Sequence, residues 1–136
     1  MKTKVCGVIG LGISVLMVVG LCSFLAACGP KEDGGWMMCH YVQNVLLLLG
    51  ACLVLLHVLA VVFPQKTKIA AGLLIAGIMF FTCCIVIPDH VIHMCMMETM
   101  RCHTVMQPGV MVISILGILA DLTGVVFSIT TQTAQK

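Results

Sequence analysis

The sequence predicts an all-α membrane protein, a four-transmembrane-helix bundle built from two parallel helix-hairpin repeats. Three observations predict it. Of the 136 residues, 61% are hydrophobic and only 9% charged, and the mean hydropathy is +1.19, so the chain carries too little charge for a soluble domain of its length. Four apolar runs, 5–27, 42–63, 69–87 and 110–129, each come close to or exceed the roughly 20 residues that carry a helix across the hydrocarbon core. Finally, the chain passes twice through one pattern. Cys28, a polar insert and Met37-Met38-Cys39-His40 are echoed by Cys95, a spacer and Met100-Arg101-Cys102-His103, each time returning into apolar sequence.

The first run, 5–27, follows Lys2 and Lys4 and reads either as a retained span or as a signal segment. Leu25-Ala26-Ala27-Cys28-Gly29 looks like a bacterial lipobox, whose cleavage before Cys28 would leave an acylated lipoprotein with three spans. The run is longer than the usual apolar core of a signal peptide, which favours retention. Either way Cys28 stands on the outer face. An outer loop over 28–41 holds Pro30, Gly34, Gly35 and the charges Lys31, Glu32 and Asp33, too polar for the bilayer. Trp36 and Tyr41 bracket Cys39-His40 as interfacial aromatics.

The second run, 42–63, ends in the basic turn Pro64-Gln65-Lys66-Thr67-Lys68. The third, 69–87, carries Gly72, Ala76 and Gly77, small residues that let helices approach closely in lipid, and stops at Pro88. The long outer loop, 88–108, gathers His90, His93, Met94, Cys95, Met96, Met97, Met100, Cys102, His103 and Met106. Thr104 to Gln107 reads as a capping box opening the fourth run, 110–129, with Pro108 in its first turn. The whole of 1–136 is a single integral membrane domain.

Orientation follows from the basic residues. Lys2, Lys4, Lys66, Lys68 and Lys136 fall on one side, against Lys31 and Arg101 on the other, so the positive-inside rule makes both termini cytoplasmic and both Cys/His loops external. The two hairpins then run in the same direction, related by an axis along the membrane normal. That symmetry brings the two corners to one outer end. A net charge of +2 without any basic cluster interleaved with aromatics gives no support for nucleic-acid binding.

Four cysteines in two outer loops point first to disulfides, because the bacterial exterior is oxidising and a cross-link orders a small loop. Pairing within each half gives Cys28 with Cys39 and Cys95 with Cys102, although sequence leaves all three connectivities open. A thiol-disulfide relay would use the same four residues, as in four-span thiol oxidases, but no Cys-x-x-Cys is present. A soft-metal site would draw on Cys39, His40, Cys102 and His103 with Met97 and Met100, a donor set suited to copper(I), whereas methionine is also ordinary interfacial filler. Haem held between His40 and His103 is the weaker reading, since the repeat alone explains that pair. No Ser/His/Asp triad, phosphate-binding loop or paired carboxylate supports a hydrolase or an ATPase, and the expectation is a non-enzymatic protein.

Two polar residues lie deep in the apolar runs. His57 follows His40 by seventeen positions and Asp121 follows His103 by eighteen, which sets each roughly 25 Å below its own corner at 1.5 Å per residue. An intramembrane carboxylate is costly unless it faces the bundle, water or a partner. Three arrangements meet that condition: a hydrogen bond from His57, access to cytoplasmic water, or contact with another subunit.

With the four runs and the repeated corners in view, the chain resembles a bacterial and archaeal membrane family, the domain of unknown function family 4418. The resemblance rests on Cys28, on Met38-Cys39-His40 followed by Tyr41, on Pro88 ahead of Cys95, and on Met100-Arg101-Cys102-His103 with Pro108 beyond. Family members often carry proline where Arg101 stands, a mismatch inside the second corner. The resemblance implies a bacterial or archaeal cell membrane as location. It also implies an accessory role beside ABC exporter permeases and ATPases. The combined expectation is an accessory protein whose external Cys/His/Met cap is ordered by disulfides, with a redox or copper-handling membrane protein as the alternative.

Overall fold

The computed structural model describes residues 2–26, 29, 33–36, 38–63, 67–91 and 101–133. These form four long helices: α1 (Lys2–Cys22), α2 (Met38–Val62), α3 (Thr67–Val86) and α4 (Gln107–Thr133). Each is long and apolar enough to cross a membrane, over Lys4–Cys22, Met38–Val62, Lys68–Val86 and Cys102–Thr130. The outward faces are as apolar as the inward ones, with Leu48, Leu55, Met79 and Val126 among the exposed side chains. Water would penalise that surface, whereas lipid solvates it.

The first helix ends five residues before the apolar run does. Its last carbonyls find partners in a turn instead: Gly20 O accepts from the Ser23 N–H at 3.1 Å and the Leu25 N–H at 2.8 Å, and the Ser23 hydroxyl donates to Val19 O. Gln43 Nε2 donates to Leu21 O at 2.6 Å, which ties the end of α1 to the beginning of α2. The turn folds Leu25 back into the core, where it packs at Gly109. Nearby, Gly34 takes φ 77°, a left-handed conformation that glycine adopts without a Cβ clash.

Pro88 does not end the helical course of the chain. A π turn, Ile87–Val91, continues from α3, and a second one, Cys102–Met106, leads into α4. Helix therefore begins ahead of Thr104, and Thr104 to Gln107 is not a helix-opening capping box: the Gln107 N–H bonds to Cys102 O, five residues back. The first π turn contains Pro88, and the second ends two residues before Pro108. A proline offers no N–H to the carbonyl four residues earlier and its ring crowds that carbonyl, so widening the turn relieves a clash that an α-helix would have to bear.

Around the bundle, α1 packs on α2 and α4, and α3 packs on α2 and α4. Close approaches set the directions. Gly7 meets Val61 and Gly50 meets Val18, so α1 and α2 are antiparallel. Gly124 meets Leu74 and Gly117 meets Phe81, so α3 and α4 are antiparallel; Cys6 at Gly124 with Leu25 at Gly109 makes α1 and α4 antiparallel too. The start of α1 and the end of α4 therefore share one end of the bundle. The core between the helices includes Met17, Leu21, Leu46, Leu53, Phe81, Cys84, Met106 and Val110.

At Gly117 a Cβ would sit 2.5 Å from Phe81 Cε2 and 2.7 Å from its Cε1, so the ring edge leaves no room for one. Gly117→Ala should destabilise the detergent-solubilised bundle by about 1–3 kcal/mol through overpacking. Combining it with Phe81→Leu should recover part of that loss. Equilibrium unfolding of the three variants checks both statements.

Candidate functional site

One layer of the bundle is polar, and all four helices contribute to it. His57 of α2 reaches across the bundle diagonal, its Nε2 2.9 Å from Asp121 Oδ1 of α4, and both side chains are buried. The other diagonal is occupied by glycines. A Cβ at Gly10 of α1 would come within 2.5 Å of His57 Nε2 and 3.2 Å of Asp121 Oδ1. One at Gly77 of α3 would lie 2.5 Å from Asp121 Oδ2 and 3.6 Å from His57 Cε1. Small residues on α1 and α3 thus make room for the pair that joins α2 to α4.

The imidazole is held from its other side as well. His57 Nδ1 lies 2.8 Å from Leu53 O and 3.1 Å from Ser14 Oγ, while the Ser14 hydroxyl donates to Gly10 O at 2.9 Å. The Phe81 ring packs 6.1 Å from the imidazole at 53°, on the side where α2 and α4 begin. Of the three arrangements open to Asp121, contact with His57 inside the bundle is the one adopted.

Among the described residues the buried polar side chains are Ser14, His57, Ser114, Asp121 and Ser128. Three of them stand on α4 at seven-residue spacing, two helical turns apart, so they form one inward-facing stripe. Ser114 Oγ, Asp121 Oδ2 and Ser128 Oγ have no hydrogen-bond partner among the described residues. Thr82, Thr123 and Thr130 behave otherwise and bond back to carbonyls of their own helix. Ser114 and Ser128 were not singled out from the sequence. The spacing around Asp121 is the feature that would have found them.

The second candidate region is the end of the bundle where α2 and α4 begin. Cys39 and Cys102 are both fully buried there, while Met38, Trp36 and Tyr41 are exposed. Trp36 stacks on His40 with ring centroids 4.0 Å apart and planes 19° from parallel, and Tyr41 meets the same imidazole edge-on at 6.5 Å and 74°. Trp36 therefore covers one face of the His40 ring. The His103 Nδ1–H donates to Gln107 Oε1 at 3.2 Å, across the second π turn. Cys28 and Cys95, expected as disulfide partners, lie outside the described residues, as do Met97 and Met100 and the neighbouring His93, Met94 and Met96. Among the described residues no three His, Cys, Asp or Glu side chains gather as a metal site.

The His57–Asp121 contact is open to a direct test. In a double-mutant cycle with His57→Gln and Asp121→Asn, unfolding of the solubilised protein should give a coupling of about 1 kcal/mol, the scale of interhelical hydrogen bonds in membranes. Additive losses would mean that the two side chains act separately.

Comparison with curated proteins finds no match, and comparison with solved structures finds none either. A family model described as a domain of unknown function, DUF4418, matches residues 9–127, from within α1 to within α4, and so takes in the polar layer and both Cys/His corners. The chain belongs to the DUF4418 family.

Proposed function

We propose that this chain is an accessory membrane protein whose external Cys/His/Met cap is ordered by disulfides and docks on a larger membrane complex, an ABC-type exporter. The observation that carries the first half is the complete burial of Cys39 and Cys102 at one end of the bundle. Thiols so placed, each one loop away from a second cysteine, suit cross-links that tie a loop to a helix start. Trp36 and Tyr41, exposed beside them, give that end an aromatic surface suited to a headgroup layer or a partner's helix. The exporter as partner rests on the family resemblance and on the absence from the sequence of any catalytic constellation of its own.

In this reading the two hairpins are repeats, the termini are cytoplasmic, and the cap is external. The support is the balance of lysines and the matched placement of His57 and Asp121 below the two corners. Thiol labelling with a membrane-impermeant reagent on intact cells decides the orientation. Asp33→Cys should gain a label over the native background and Lys68→Cys should not; the reverse pattern would invert the topology.

Non-reducing peptide mapping of the protein from native membranes should find Cys28 linked to Cys39 and Cys95 to Cys102. If all four are thiols and stoichiometric copper survives a chelator wash, the cap is a soft-metal site built on Cys39, His40, Cys102, His103, Met97 and Met100 instead. Affinity purification in mild detergent from native membranes should recover permease and ATPase subunits in fixed ratio. Recovery of the chain alone sinks the exporter assignment.

A further inference from the structure

The hydrogen-bond inventory around His57 constrains where protons sit. Leu53 O can only accept, so Nδ1 at 2.8 Å must carry a hydrogen and donate it. Ser14 Oγ lies farther from Nδ1, at 3.1 Å, and its own hydrogen is directed to Gly10 O. With Nδ1 protonated, a neutral imidazole presents a bare lone pair at Nε2. The 2.9 Å contact from Nε2 to Asp121 Oδ1 then needs one more proton between them, whichever atom holds it. The pair is accordingly either imidazolium with carboxylate or imidazole with carboxylic acid, and in both forms its net charge is zero.

Loss of that proton would leave a carboxylate oxygen facing a nitrogen lone pair, and a buried net negative charge. Few neighbours could offset it. From α1 the pair is faced by Gly10 and Ser14, with Cys6 at Gly124, one turn from Asp121; from α2 by the Leu53 carbonyl; from α3 by Gly77 and Phe81. The register that sets Gly77 opposite Asp121 and Phe81 opposite Gly117 places buried Cys84 at the level of Ser114. Titratable groups around the pair are thus Cys6 and Cys84 alone, and no cation faces it among the described residues. Nor is there an oxygen cage for a metal ion, since both glycine positions offer no side-chain ligand and Oδ1 is already engaged.

Asp121 Oδ2 nonetheless remains fully buried and unpartnered, and so do the hydroxyls of Ser114 and Ser128, two turns to either side on the same face. Buried polar atoms are almost always hydrogen-bonded, and serines in apolar helices ordinarily satisfy themselves against their own carbonyls. Three orphans in one line, centred on a group that holds a proton, make a polar stripe along α4 whose unpartnered atoms can each bond an entering water.

We propose that the bundle interior is a proton-binding site, with one proton held between His57 Nε2 and Asp121 Oδ1 and exchanged with both ends of the bundle along the Ser114–Asp121–Ser128 stripe. Uptake forms the Nε2–Oδ1 bond between α2 and α4, and release to water breaks it. Protons are the only species moved, so no oxidant or reductant enters.

Two measurements on the full-length protein test this, independently of what its outer cap does. Solid-state NMR of ring-labelled histidine in lipid should show hydrogen on Nδ1 of His57 and a proton shared toward Nε2 near neutral pH. Protein-containing vesicles of a neutral phospholipid, driven by a potassium-diffusion potential, should acidify severalfold faster than protein-free vesicles, as read by an entrapped pH dye. Asp121→Asn should abolish the excess flux, since the amide keeps a hydrogen-bonding shape without a transferable proton. Ser114→Ala and Ser128→Ala should each lower it severalfold while leaving unfolding stability unchanged or raised, because they remove only unpartnered hydroxyls. A neutral His57 carrying hydrogen on Nε2 alone beside an ionised Asp121, or a wild-type flux equal to that of protein-free vesicles, would overturn the proposal.

Discussion

A carboxyl group buried inside an apolar bundle is the constraint to which the rest of the structure answers. Lipid provides no hydrogen bonds, so Asp121 had to find its partner on another helix. The partner is His57, and it lies across the diagonal of the bundle and not on an adjacent face. A diagonal contact of 2.9 Å brings α2 and α4 close, and it can do so only if α1 and α3 present nothing bulky at the same level. Gly10 and Gly77 meet that requirement, each at a position where a Cβ would collide with the pair. The small residues here are therefore shaped to a polar contact as much as to helix-helix packing.

The same logic extends up the third and fourth helices. Above the polar layer Phe81 lies over Gly117, a large side chain set against a small one. Below it Leu74 and Cys6 converge on Gly124. Lipid exerts no hydrophobic pressure between helices, so such interdigitation is the main source of cohesion. The polar pair then adds direction to it: apolar ridges tolerate sliding by a turn, whereas a hydrogen bond between two single buried residues does not.

How much of this could be read from the chain varies by region, for physical reasons. Four apolar runs announce four helices because the bilayer demands length and hydropathy together, and counting residues below each Cys/His corner put His57 and Asp121 at the same depth. Depth says nothing about azimuth, which is why water access and a partner subunit stayed open until packing was known. The serines at 114 and 128 were passed over because serine is unremarkable in an apolar helix; only their phase with Asp121 marks them. Helix ends were the least legible. At Cys22 a turn stabilised by Gly20 O overrides continued hydropathy, and at Pro88 and Pro108 π turns carry the helical course where proline normally interrupts it. At Thr104 to Gln107 a capping pattern sits inside a helical stretch, a local motif overruled by the segment before it.

Cys39, Cys102 and the polar pair stand on the same two helical courses, and on the same faces of them. Cys39 precedes His57 by eighteen residues, five full turns, and both belong to the buried face of α2 with Val42, Leu46, Gly50, Leu53 and Ala60. On α4 the buried positions descend from Val110 through Ser114 and Gly117 to Asp121, below Cys102 and Met106 in the π turn. Each corner cysteine thus points inward along the line that ends at the polar pair. A helix is stiff in torsion over five turns, so whatever holds Cys39 and Cys102 in place also sets how α2 and α4 are rotated about 25–30 Å further down. The His57–Asp121 contact depends on that rotation, because a ring nitrogen and a carboxylate oxygen meet over a narrow range of angles. Packing around Cys39 and Cys102 is in this way mechanically joined to the geometry of the buried pair.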